Sequence, residues 1–539
     1  MSERDTTGDG TRVLGIEGTA WAASAALYDT DSEVVTIESD AYTPDSGGIH
    51  PREAAEHMHE AIPRVIERVL EEAPPRDPPV DAVAFSRGPG LGPCLRIVAT
   101  AARSLAGTLE VPLVGVNHMV AHLEIGRHEA DFADPICLNA SGANAHLLAY
   151  RNGRYRVLGE TMDTGVGNAI DKFTRHLDWS HPGGPKVEAA AREGQYIDLP
   201  YVVKGMDFSF SGIMSAAKAA VDDGEAVEDV CFSLQENIFA MLTEVSERAL
   251  SLTGSDELVL GGGVGQNARL REMLETMCGE RGAAFHAPEP RYLRDNAGMI
   301  AVLGAKMLAA GDTLEISASH VDPNFRPDQV PVTWRGDSGR PLVGTDDSQV
   351  RGAEATVDLE PAAGIVRKRR RPKSYRHPEL DATLRRQRTT LEARLTSLAR
   401  REGVSTPVVR EIDLETATLV LEYVGEEELG TALTRDRVRR VGAYAATMHE
   451  AGFVHGDLTP RNVRVDEDRT YLIDFGLGYH TDHLEDYAMD LHVFEGSLVG
   501  TAEEPEPLIE AFRTGYEKKG RGRVLDRLED VQQRGRYQP

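Results

Sequence analysis

The sequence predicts an α/β protein built from more than one compact unit, and three observations carry that prediction. From Val13 to about Val321, short apolar runs of β-type composition alternate with longer stretches of helical period. Residues 331–349 are rich in Gly, Pro, Ser and Asp without helical period, which marks a connector. Beyond it the charge distribution and the motifs change, starting with the basic stretch IVRKRRRPKSYR (365–376). A length of 539 residues also exceeds any single small core, since compact units average roughly 150 residues.

Composition excludes several classes. The 87 acidic residues outnumber the 59 basic ones and leave a formal charge of −28, which rules out a globally basic nucleic-acid coat protein. With 41% apolar residues, wholesale disorder is excluded as well. No stretch approaches the roughly 18 uninterrupted apolar residues of a membrane span, and the start MSERDTTGDGTR has no apolar signal core, so a cytosolic protein with no membrane partner is expected. Cys94, Cys137, Cys231 and Cys278 stand far apart with no CxxC pair, so buried thiols are expected instead of a disulfide framework or a thiolate zinc site. Only 9 of the 59 basic residues are lysine. High negative charge with scarce lysine predicts a surface adapted to high salt.

Strands are expected at VLGIEGT (13–19), AVAFSRG (82–88), LVGV (113–116), ICLNAS (136–141) and ELVLGGG (257–263), many with polar or Gly-rich ends, consistent with two lobes around a cleft. Gly15–Thr19 reads as a small-residue turn suited to phosphate, and LGGGVGQN (260–267), between an apolar run and the helical ARLREMLE, as a second. His118 and His122, four residues apart, share one face of a helix and can share one ion. The same spacing also describes two surface or core histidines. Met119 occupies the place where a zinc protease carries its general-base Glu, so peptide hydrolysis lacks its base. No repeat of solenoid period is present.

The ordered set GIEGTA (15–20), SRGPG (86–90), NHMVAH (117–122), SGAN (141–144), ETMDTGVGNAIDK (160–172), GGPKVE (183–188), FSFSG (208–212), GGGVGQN (261–267) and RDNAGMIA (294–301) resembles the universal threonylcarbamoyl-transferase family. That family includes the catalytic subunit of the KEOPS complex, and the resemblance spans roughly residues 11–325. It implies the two-lobe actin, hexokinase and sugar-kinase architecture for residues 1–330. It implies transfer of a threonylcarbamoyl group from its adenylate to N6 of the adenosine 3′ to the anticodon in ANN-decoding tRNAs. His118, His122 and Asp295 would ligate one divalent metal, iron or zinc. Asn139, Ala140, Ser141, Gly142, Ala143, Asp171, Gly184, Glu188 and Asn267 would line the threonylcarbamoyl-adenylate site. The family carries a metal-ligating Tyr where this sequence has Asn139, so the ligand oxygen would shift to an amide or to water.

Downstream, the parts of phosphoryl transfer follow in chain order. Lys368 lies in a β-type run, and Glu392 in the next helical segment is its ion-pair candidate. HGDLTPRN (455–462) sets Asp457 five residues before Asn462, the HRDxxxxN spacing, and Asp474 opens DFG. With GAEA (352–355), KRRRPKSYRHPELD (368–381), IDFGLG (473–478) and EDYAMDL (485–491), residues 350–539 resemble the small atypical kinase of the KEOPS complex, which in several archaea is fused behind the transferase. The resemblance implies ATP with Mg at Gly352, Ala353, Glu354, Ala355, Lys368, Glu392, Asn462 and Asp474, with Asp457 as the catalytic base. There is no GxGxxG and no APE segment, which favours ATP hydrolysis or autophosphorylation over broad protein phosphorylation. Implied partners are tRNA, threonylcarbamoyl-AMP, ATP and other KEOPS subunits. The basic run Arg367–Arg376 either serves the kinase lysine's surroundings or, with Lys518–Arg523 and Arg534–Arg536, contacts tRNA phosphates. The rival readings are a nucleotide-regulated scaffold and a sugar or carboxylate kinase on the same fold, which would need no HxxxH pair.

Overall fold

Alternation along the first strand decides how the first sheet is buried. In β1 (Arg12–Glu17), Leu14 and Ile16 enter one apolar cluster and Val13 enters another, so both faces are covered. The computed structural model describes residues 10–42, 50–142, 144–151, 153–337, 339, 354–502 and 504–534. The chain divides into two units: Met1–Val202, Phe208–Leu250 and Ser255–Pro341 form the first, and Leu342–Pro539 with the short segments Val203–Asp207 and Ser251–Gly254 form the second.

In the first unit β1 is followed by β2 (Ala22–Asp29), β3 (Val34–Ala41), α1 (Pro51–Glu71), β4 (Ala82–Gly88), α2 (Gly92–Leu109) and β5 (Leu113–Asn117). The strands form a five-stranded sheet of order β3-β2-β1-β4-β5. β1 to β3 pair antiparallel, whereas β4 and β5 run parallel to β1, because α1 and α2 carry the crossovers. Next come α3 (His118–Ala130), β6 (Ile136–Ala140), β7 (Ala145–Arg151), β8 (Arg154–Glu160), α4 (Val166–His176) and α5 (Gly184–Ala191). In chain order, two short strands within or at the border of the second unit's segment Val203–Asp207, β9 (Val203–Lys204) and β10 (Asp207–Phe208), precede α6 (Ser211–Asp222), α7 (Val227–Thr253), β11 (Glu257–Gly261), α8 (Ala268–Arg281), β12 (Ala284–His286), α9 (Pro290–Leu293) and α10 (Ala297–Ala309). The second sheet has the order β12-β11-β6-β7-β8. Its antiparallel trio and two parallel strands repeat the plan of the first sheet, which is the two-lobe architecture the resemblance implied.

α3 and α10 share one core cluster with β1, β4 and β5 of the first sheet and with Cys137, Leu148 and Val259 of the second. Gly15 permits this closeness, since a Cβ there would stand 2.4 Å from the Ala297 carbonyl oxygen. The expected phosphate turn at Gly15–Thr19 is therefore corrected: Gly15 and Glu17 lie inside the buried strand, and the turn starts at Gly18. Part of the expected connector also packs on the first unit. Trp334 stacks on Tyr155 with ring centroids 6.2 Å apart, and the Arg335 guanidinium lies 3.9 Å from the Tyr150 ring centre. Residues 338 and 340–353 of the connector region lie outside the described residues.

The second unit opens with β13 (Ala355–Glu360), β14 (Ile365–Arg370), α11 (Pro378–Arg401), β15 (Val409–Asp413) and β16 (Thr418–Glu422), an antiparallel sheet of order β13-β14-β16-β15 with one long helix. A mainly helical part follows: β17 (Glu427–Glu428), α12 (Arg435–Glu450), β18 (Phe453–Val454), β19 (Val463–Val465), β20 (Thr470–Leu472), β21 (Tyr479–His480), α13 (Leu484–Thr501), α14 (Glu506–Glu517) and α15 (Gly522–Arg534). This sheet-plus-helix part and helical part make a small two-lobe kinase-like domain. All four cysteines are buried free thiols, and burial pushes their pKa values up to about 11 at Cys94 and about 12 at Cys137, Cys231 and Cys278. Among the described residues no helix is long and apolar enough to cross a membrane.

Candidate functional site

Two helix starts bring the imidazole pair to the distant aspartate. Asn117 caps α3, accepting from the backbone N–H groups of Met119 and Val120, and so fixes His118 as the first helical residue. Asn296 caps α10 by accepting from Met299 N–H, which sets Asp295 just ahead of that helix. His118 Nε2 lies 3.4 Å and His122 Nε2 3.5 Å from Asp295 Oδ1, and the three ligand atoms lie within 4.8 Å of one another. Donors about 2.0–2.2 Å from one tetrahedral ion are about 3.3–3.5 Å apart, so the spacing fits a shared cation. His122 adds a second indication: both ring nitrogens are buried without a hydrogen-bond partner.

The electrostatics agree. Burial pulls the His118 pKa down, but Glu17 and Asp295 outweigh it and lift it to about 10. Burial lowers that of His122. Burial would raise the Asp295 carboxyl, yet His118 and His122 hold it well below the ordinary carboxylate range. A positive charge is thus favoured between the carboxylates. Asn139, next to last in β6, lies opposite His146 of β7, and Asn139 Oδ1 and both His146 nitrogens are buried without partners. Burial, then His122 and His118, push His146 down to about 3, so it stays neutral.

The expected adenylate residues form a continuous band. Gly262, at φ +85°, crosses the end of β6 so closely that a Cβ would stand 2.4 Å from the Ala140 carbonyl and 2.5 Å from Asn139 Oδ1. The Ser141 carbonyl accepts from Gly167 N–H at 3.3 Å and that of Gly142 from Asn168 N–H at 2.9 Å, which docks α4 on this turn. Asp171 on α4 accepts from Gly183 N–H at 2.7 Å, next to Gly184 at the start of α5, and its other oxygen is 3.2 Å from His181 Nδ1. Glu188 on α5 accepts from Ala268 N–H at 3.1 Å, and Asn267 caps the same α8 terminus while its amide donates to Gln235. One Glu188 oxygen and the Asn267 side chain therefore already serve α8. Ala143 lies outside the described residues.

In the second unit, Lys368 Nζ lies 2.9 Å from Glu392 Oε1 and 2.6 Å from Asp474 Oδ1. Burial disfavours the Lys368 charge, but Asp474 and Glu392 raise its pKa above the ordinary value. Asn462 Nδ2 donates to Asp457 Oδ2 at 2.9 Å. Glu354 pairs with Arg388 at 2.9 Å, and Ala355 sits in β13 opposite Arg370. Gly352 and Ala353 lie outside the described residues. Of the basic run, Lys368, Arg370 and Arg376 are buried and pair with Glu392 or Asp381, so those three are withdrawn from an exposed surface that would meet tRNA phosphates. Arg369 and Arg371 are exposed.

Sequence reasoning missed three residues. Glu17 is fully buried and its Oε2 lies 3.1 Å from His118 Nδ1. Arg370 takes the second oxygen of Glu392 at 2.6 Å. Asp490 accepts from the His455 and Gly456 backbone N–H groups, both at 2.9 Å, and so clamps the loop that carries Asp457. The signal for Glu17 was a charged residue directly after the apolar run Val13–Ile16.

A family model described as tRNA N6-adenosine threonylcarbamoyltransferase matches residues 33–302, and one described as the phosphotransferase enzyme family matches residues 449–528. A protein of Halobacterium salinarum is 68% identical, covering 98% of this chain and 99% of its own length. One of Haloquadratum walsbyi is 66% identical over 98% of this chain and 100% of its own, and one of Methanosarcina barkeri 47% identical over 98% and 99%. All three carry the name "Probable bifunctional tRNA threonylcarbamoyladenosine biosynthesis protein". Among solved structures, the T. kodakarensis HypF crystal structure aligns at TM-score 0.40 with 14% identity over 59% of this chain and 50% of its own. With both domain types present and near-complete coverage at such identity, the chain belongs to the bifunctional tRNA threonylcarbamoyladenosine biosynthesis family, a transferase domain followed by a kinase-like domain.

Proposed function

We propose that the first domain, residues 1–330, transfers the threonylcarbamoyl group of threonylcarbamoyl-AMP to N6 of the adenosine 3′ to the anticodon in ANN-decoding tRNAs. After a connector at 331–349, residues 350–539 act as an ATP-consuming kinase that regulates the cycle. The observation that carries this reading is the convergence of His118, His122 and Asp295 beside the Gly261–Gly262 turn, which meets the end of β6 just ahead of Ser141 and Gly142. Binding at the carboxyl ends of parallel strands is the general habit of such sheets. A sugar kinase has no use for the imidazole pair.

His118 Nε2, His122 Nε2 and one Asp295 oxygen would hold the cation, and two imidazoles with a carboxylate suit ferrous iron as well as zinc. A divalent ion there supplies Lewis-acid polarisation of a carbonyl or phosphate oxygen. The N6 amine forms the new C–N bond as the carbonyl–oxygen bond to AMP breaks, and the proton lost from N6 leaves with the AMP phosphate or to solvent. Asp171 and Glu188 offer their uncommitted lone pairs to ribose hydroxyls, and α4 carries the Ser141–Gly142 turn against the adenylate. In the kinase domain Lys368, steadied by Glu392, takes the ATP phosphates. Asp474 and Asn462 would hold Mg, and Asp457, aligned by the Asn462 amide, takes the acceptor proton. tRNA phosphates are met by local basic residues such as Arg369 and Arg371, other KEOPS subunits contribute further contacts, and the setting is the cytoplasm.

The test is to incubate the purified chain with threonylcarbamoyl-AMP and unmodified tRNA, with and without metal chelation, and analyse the nucleosides by mass. Modified adenosine that disappears on chelation and returns with added Fe(II) or Zn(II) is expected. Full transfer by His118→Ala/His122→Ala would remove the metal from the reaction.

A further inference from the structure

We propose that Glu17 is a positioning residue of the metal centre, selecting the His118 tautomer that leaves Nε2 unprotonated and able to ligate. The inference deepens the metal reading above and rests on it. Strand alternation puts Val13, Gly15 and Glu17 on the face of β1 that meets α3 and α10. A carboxylate fully buried in a strand whose neighbours are Leu14 and Ile16 is unfavourable unless its lone pairs are engaged. Both Glu17 oxygens are: Oε1 accepts from Thr19 N–H at 2.7 Å, and Oε2 faces His118 Nδ1 at 3.1 Å.

With Glu17 Oε2 as the acceptor of this contact, His118 Nδ1 is the atom that carries the hydrogen. When a cation takes the place of the second proton, the lone pair is then on Nε2, the atom 3.4 Å from Asp295 Oδ1. Carboxylate, imidazole and cation would stand in line, the arrangement by which outer partners orient a ligand and raise its basicity. His122 has no such partner, since its Nδ1 is buried and unpaired. The two ligand imidazoles are therefore unequal, and His118 is the one whose proton position the fold dictates. Through Thr19 the same carboxylate ties the centre to the turn starting at Gly18, whose Thr19 carbonyl accepts from Leu91 N–H at 2.7 Å.

Glu17→Gln keeps size and shape but cannot satisfy both donors. If its amide oxygen stays on Thr19 N–H, its NH2 faces Nδ1 and drives the hydrogen to Nε2. If it flips, Thr19 N–H loses its acceptor. With chelator-stripped full chain titrated with Co(II), Glu17→Gln should bind 10- to 100-fold more weakly than the unaltered chain, with an altered ligand-field spectrum. Independently of that variant, the unaltered chain loaded with ¹¹³Cd should show metal coupling to His118 Nε2 with Nδ1 protonated, the signal being assigned by its absence in His118→Gln. Unchanged Co(II) affinity and spectrum in a folded Glu17→Gln, or ¹¹³Cd coupling to Nδ1, overturns the proposal. Failure of the unaltered chain to bind Co(II), or unweakened binding by His118→Ala, overturns instead the metal reading on which it rests.

Discussion

Lys368 Nζ stands 2.6 Å from Asp474 Oδ1, and Asp474 holds this position with a left-handed backbone at φ +64°. The same ammonium touches Glu392, whose other oxygen is held by buried Arg370. Removing the lysine therefore leaves Glu392 still paired, whereas removing the Glu392 charge leaves two buried cations facing an amide. Glu392→Gln should destabilise the second domain by about 3–5 kcal/mol, the range for breaking a buried pair. Lys368→Met should abolish ATP turnover with a smaller loss of stability. Thermal unfolding of both variants checks the order, and a less stable Lys368→Met would contradict the network described.

Asp457→Asn should lower ATP turnover by about 10²–10⁴-fold, the usual share of a positioned general base. An amide can still meet the Asn462 side chain, so the unfolding temperature should stay near that of the unaltered protein. ADP release with matched calorimetry separates the two effects.

Gly262 has no room for a side chain, at φ +85° and with the Ala140 carbonyl 2.4 Å from the place a Cβ would take. Gly262→Ala should cost roughly 1–3 kcal/mol of backbone strain and disturb the end of β6, where Asn139 and Ala140 lead into the Ser141–Gly142 turn. Denaturant midpoints measure the first effect. A raised KM for the adenylate with nearly unchanged affinity for Co(II) would show the second.

Glu124, on the same helix α3 as the two imidazoles, is fully buried. Burial would raise its pKa, but Lys306 and Arg127 hold it below the ordinary value. A lowered folded-state pKa contributes stability that is present above the unfolded value near 4.5 and lost as pH falls through the folded one. Glu124→Gln should thus be destabilised by about 3–5 kcal/mol at neutral pH, and its deficit should shrink as pH drops below 4.5. Urea unfolding at pH 7 and pH 4 tests the sign, and a deficit independent of pH would refute it.

With a formal charge of −28 the folded chain repels itself, and molar KCl shortens the screening length to about 3 Å. Its unfolding temperature should rise steadily over the first molar of KCl. A flat or falling response would contradict a surface adapted to salt.

The strands that carry the site were legible because their apolar runs are short and bounded by Gly or polar residues, and HxxxH announced a helical pair. Both domain types were legible from motifs in chain order. Glu17 was not, because its meaning depends on an imidazole 101 positions away. The burial of Arg370 was equally hidden: within RKRR every residue looks alike until strand alternation sends Lys368 and Arg370 inward and leaves Arg367 and Arg369 outside. Local spacing exposes chemistry confined to one element, whereas partnership across elements is written only in the folded topology.

The packing of Trp334 and Arg335 bears on how this polypeptide can be cut. Arg335 Nη2 donates to the Ala133 carbonyl, Tyr150 hydroxyl donates to the Asp337 carbonyl, and Trp334 covers Tyr155, whose own hydroxyl binds Glu124. A transferase half ended at residue 330 would expose an aromatic surface and loosen the polar cluster anchoring α3. A scission meant to leave this packing intact belongs after Gly339.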